Sequence, residues 1–124
     1  MEEITAAALA KKETWDAWEE LNDELYGLSA KWYMIAARIQ CLREKLDEKS
    51  ERLSMLPINS RWRKDRLGKR IKIISKELRS LRKKRSRLDE KLKPLYNQIR
   101  KSSAEFQKAT NKYEKARENM LSGQ

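Results

Sequence analysis

Apolar residues recur along this chain at alternating steps of three and four, and the rhythm is interrupted once. In the first half the stripe reads Trp18, Leu21, Leu25, Leu28, Trp32, Ile35, Ile39, Leu42, Leu46, Lys49 and Leu53, and it extends backwards more weakly through Thr14, Lys11, Ala7 and Ile4. In the second half it reads Leu67, Ile71, Ile74, Leu78, Leu81, Arg85, Leu88, Leu92, Leu95, Ile99, Ser102, Phe106, Ala109, Tyr113, Ala116 and Met120. Spacing of this kind gathers its residues on one face of an α-helix, and chance alternation rarely survives three heptads. Between the stripes lies Ser54-Met55-Leu56-Pro57-Ile58-Asn59-Ser60. Pro57 has no backbone N–H to donate and crowds the preceding turn. It also turns Leu56 away from helical geometry. Asn59 or Ser60 can then cap a new helix.

The expected fold is therefore all-α, with a helix over about 5–54, a turn at 55–60 and a helix over about 61–120. Two stripes of similar length joined by a short turn pack most simply as a long antiparallel coiled-coil hairpin, one domain over 1–124, roughly 75 Å long at about 1.5 Å per residue. Gly27 and Pro94 both fall off the stripes, so neither ends the packing pattern. Arg85 is the one charged residue in the second stripe. Its guanidinium can stack on the Trp32 indole or carry its stem past the seam into water, and the second outcome is expected.

Composition matters here because 40% of the residues are charged and the mean hydropathy is −0.97. Such values fit a disordered chain or long solvated helices, and the periodicity decides for helices. The opening Met1-Glu2-Glu3 has the wrong sign for a targeting peptide. The longest uncharged apolar run, Trp32 to Ala37, is too short to span a bilayer. The single Cys41 leaves no internal disulfide and suits a reducing compartment. A soluble protein of the cytoplasm or another intracellular space is expected, with no membrane partner.

A second apolar stripe lies outside the seam. Tyr26, Ala30, Tyr33, Met34, Ala37 and Cys41 share the outer side of the first helix, and Ile73 lies near Cys41 if the chain folds back. A helix apolar on more than one side is usually covered on more than one side. These seven residues are the candidate protein interface, through which the hairpin would join a homo-oligomeric helical bundle or a larger complex.

The formal net charge is +11, and it is unevenly spread. From Arg61 to Arg87 there are fourteen basic residues against Asp65 and Glu77, whereas Met1 to Gly27 holds two basic residues and eight acidic ones. Lys69, Lys72, Lys76, Arg79 and Lys83 follow one another at three or four residues and form one outward stripe. Like charges so placed repel by about 0.2–0.5 kcal/mol per pair, so helix stability alone does not account for them. Arg61, Arg63, Lys64 and Arg66 surround Trp62, an aromatic able to stack on a base. These ten residues are the candidate nucleic-acid-binding set, and a lysine-rich stripe reads the phosphate backbone with little sequence preference.

Other chemistries lack their residues. There is no His, one Cys, and no glycine-rich phosphate loop among glycines at 27, 68 and 123. No metal or cofactor is expected, and enzymatic activity is not expected. Two functions remain, of different class. The first is a non-enzymatic helical hairpin that holds DNA or RNA along its basic half. The second is a coiled-coil adaptor or scaffold that docks an acidic protein or its own acidic end.

Overall fold

The structure is a computed structural model and describes residues 2–123. It is all-helical: α1 covers Glu2–Met55 and α2 covers Arg61–Ser122. Good helix formers fill both elements. The ends of α1 also suit the helix dipole, with Glu2 and Glu3 in its first turn and Arg52 in its last. Pro94 lies inside α2, which continues through it.

The connection between the helices is short and hydrogen-bonded. The Leu56 amide donates to the Leu53 carbonyl at 3.4 Å, and the Ser60 amide donates to the Pro57 carbonyl at 3.0 Å, closing a β-turn over Pro57–Ser60. No described residue has a positive φ, so Ile58 and Asn59 make this turn without left-handed geometry, as a type I turn permits. The Ser60 carbonyl accepts the first α-helical bond of α2 from Lys64 at 3.0 Å. Of the two residues suited to cap α2, Ser60 therefore takes the position before its first turn.

The chain divides into two compact units. One comprises residues 1–28 and 91–124, and the other comprises Ser29–Glu90. Within Ser29–Glu90, Ile39 and Leu42 of α1 form a buried cluster with Ile74 and Leu78 of α2, and Ile35, Leu46 and Leu81 pack against it. Two polar contacts join the same helices. The Trp32 indole Nε1 donates to Asp89 Oδ1 at 2.8 Å, and Arg38 Nη2 meets Glu77 Oε1 at 3.1 Å. As numbers rise along α1 they fall along α2, so the helices are antiparallel in this unit.

In the other unit the contacts also descend. Lys11 Nζ sits 4.8 Å from the Tyr113 ring centroid, and the Trp15 ring lies 5.3 Å from Phe106. Trp15 also meets Trp18 at 5.1 Å. On α2 the most deeply buried positions of this unit include the small residues Ser102, Ala109 and Ala116. Bulk thus comes from the aromatic side chains, and the small residues leave them room.

The stripes read from the sequence are buried or half-buried along nearly their whole course, including Lys49, Arg85 and Ser102. Met120 is the exception: it is exposed, close to the end of α2. Arg85 is half-buried, and the Trp32 ring that it could have covered meets Tyr33 edge-on at 5.3 Å instead.

Candidate functional site

The basic residues of Ser29–Glu90 define the site. This unit holds twenty Lys and Arg against eight Asp and Glu, a net +12, whereas the other unit carries −1. A stripe two or more positions away from a buried seam points outward on a helix. Lys69, Lys72, Lys76, Arg79 and Lys83 accordingly are all exposed on α2. Arg61, Trp62, Arg63 and Arg66 are exposed too, and Lys64 is half-buried where α2 begins.

Neutralisation within the unit is slight. Among the described residues the one side-chain ion pair is Arg38 with Glu77. Glu77 is one of only two acids between Arg61 and Arg87, and it is engaged by a cation from α1, not by the stripe. Asp89 is taken by the Trp32 indole. The five stripe cations and the four around Trp62 thus have no carboxylate within ion-pair distance among the described residues.

The start of α2 is also built against its own dipole. Its first turn carries no acid, and Arg61 and Arg63 occupy it. Cations at this end oppose the partial positive charge of the free N–H groups, by about 0.3–1 kcal/mol each. Arg66 lies over Trp62, with its guanidinium carbon 5.5 Å from the ring centroid. That contact joins residues four apart on one helix face, a spacing visible in the sequence.

The candidate interface residues are placed as follows. In the Ser29–Glu90 unit, Tyr33, Met34 and Ile73 are 69%, 74% and 67% exposed, Ala30 and Ala37 are exposed, and Cys41 is half-buried. Tyr26 is exposed in the other unit. Sequence reasoning missed a shallow groove of about 330 Å³ between the two helices of Ser29–Glu90. Met34, Ile35 and Leu88 line it together with Lys31, Lys84 and Arg87. It joins residues 53 positions apart, which periodicity along one helix does not reveal. Trp15 was missed as well, although its three-residue step to Trp18 marks the pair.

Among the described residues no three or more Cys, Asp or Glu side chains are grouped to hold a metal ion. No described helix is long and apolar enough to cross a membrane. Comparisons of the chain with protein-family models, with curated proteins and with solved structures give no match.

Proposed function

We propose that this protein is a non-enzymatic nucleic-acid-binding helical hairpin of the cell interior, which holds the phosphate backbone along the basic face of Ser29–Glu90. The observation that carries this reading is a run of exposed cations without carboxylate partners, in a unit of net +12. In the same reading the two helices form an antiparallel coiled coil. The exposed face of Ala30, Tyr33, Met34 and Ala37 mediates assembly into a larger helical bundle.

Salt titration tests the binding. If five phosphates of a duplex are engaged, log affinity falls against log salt with a slope of roughly −4.5. Replacing Lys69, Lys72, Lys76 and Arg79 by Gln is expected to flatten the slope to about −0.9 while helicity stays intact. Binding that is unchanged by the four substitutions eliminates the stripe as the site.

A second reading rests on the groove at Met34. An apolar floor edged by Lys31, Lys84 and Arg87 suits an adaptor that docks an acidic, amphipathic protein segment, including the acidic first segment of another copy. Tyr33→Glu with Met34→Glu changes two exposed residues and is expected to lower the mass of any assembly measured by sedimentation. An unaltered mass removes this face as the assembly surface.

A further inference from the structure

We infer that the preferred ligand is a single strand with unpaired bases, one of which stacks on Trp62 while its backbone follows α2; this rests on the nucleic-acid reading above and specifies it. Trp62 is 71% exposed, and four cations stand within four residues of it. Arg66 covers one side of the ring at 5.5 Å. The opposite face is left for a planar group, giving an arginine–indole–base stack. A base offers its face only when it leaves its own duplex stack. Backbone contacts alone do not distinguish strands from duplexes, but an aromatic platform does.

The position of Trp62 supports this. It precedes Lys69, Lys76 and Lys83 by multiples of seven, so all four residues share one helix face. Asp65 is on that face too, between Trp62 and Lys69. A carboxylate repels phosphate, so this end of the stripe suits a neutral base better than another phosphate. From Trp62 to Lys83 the helix rises about 31 Å.

That length also separates the proposal from an anionic membrane surface. Ile58 (95% exposed), Met55 and Trp62 near the turn would suit a bilayer, with Arg61 and Arg63 beside them. A bilayer met at the turn engages cations within about 10 Å of it and leaves Lys76 to Lys83 without a role. A strand laid along α2 uses all of them.

The experiment measures the affinity of the full chain for a thymidine homopolymer of about twelve nucleotides, for the matching duplex, and for vesicles of phosphatidylserine and phosphatidylcholine. The wild type is expected to bind the single strand at least about fivefold more tightly than the duplex at equal salt. Trp62→Ala is expected to abolish that excess without changing duplex affinity, and Trp62→Phe to keep most of it. Trp62 is exposed, so circular dichroism should show both variants folded. Equal loss on both nucleic acids, or no loss on either, overturns the stacking role and leaves the backbone reading standing. Vesicle binding that needs Trp62 while single-strand binding does not overturns it in favour of a membrane. No binding to strand or duplex overturns both readings.

Discussion

Leu42 and Met34 lie eight residues apart on α1, and their side chains face opposite fates. Leu42 is 2% exposed in the cluster with Ile39, Ile74 and Leu78, whereas Met34 is 74% exposed. Leu42→Ala removes buried methyl groups and leaves a cavity, so it is expected to cost about 2–5 kcal/mol of stability in urea denaturation. Met34→Ala is expected to stay within about 0.5 kcal/mol, because nothing on this chain covers the side chain. A comparable loss at both positions would mean that the outer face is packed in solution. Thr110 is a different case: its hydroxyl is buried without a hydrogen-bond partner among the described residues. Thr110→Val keeps the shape and removes the unsatisfied group. The expected gain is about 1 kcal/mol, read as a higher urea midpoint.

At the scale of the element, α2 shows where stability and binding diverge. Ser60 stands before its first turn, and the residue three further on is Arg63. A capping box would place Glu there, to reach back to the Ser60 amide and to suit the dipole. Arg63→Glu is therefore expected to raise thermal stability by about 0.5–2 kcal/mol and to weaken polyanion binding. A variant that gains stability with unchanged affinity would take Arg63 out of the site. The two helices, their seam and the turn at Pro57 were legible because each depends on local spacing or on one residue type. The seam even carried Lys49 and Arg85 into half-buried positions. The Trp32–Asp89 and Arg38–Glu77 contacts were not legible, since they depend on how far α2 is slid along α1. Hydrophobic period sets the face but leaves that offset open by whole heptads. The groove at Met34 was hidden for the same reason. The exposed cations were legible as a stripe, but the absence of carboxylates beside them depended on the pairing of Glu77 with Arg38.

For the whole molecule the decisive quantity is how charge is divided between its two compact units, +12 in Ser29–Glu90 and −1 in the other. Repulsion within the first unit works against its folding, and the neighbours Lys69, Lys72, Lys76, Arg79 and Lys83 alone make four like-charge pairs of about 0.2–0.5 kcal/mol each. Added salt shortens the screening length from about 30 Å at 0.01 M to about 10 Å at 0.1 M and relieves that repulsion. Amide hydrogen exchange is therefore expected to slow in Ser29–Glu90 between these salt concentrations, and to change little in the unit of balanced charge. A polyanion held on the stripe supplies the same neutralisation from outside. At 0.01 M salt, a stoichiometric amount of it is expected to protect the same amides, and the Lys69, Lys72, Lys76 and Arg79 to Gln variant is expected to show that protection without ligand. Uniform slowing across both units would assign the effect of salt to general stabilisation. Slowing confined to Ser29–Glu90, and matched by the substituted variant, would identify the uncompensated cations of α2 as the strain that an anionic partner relieves.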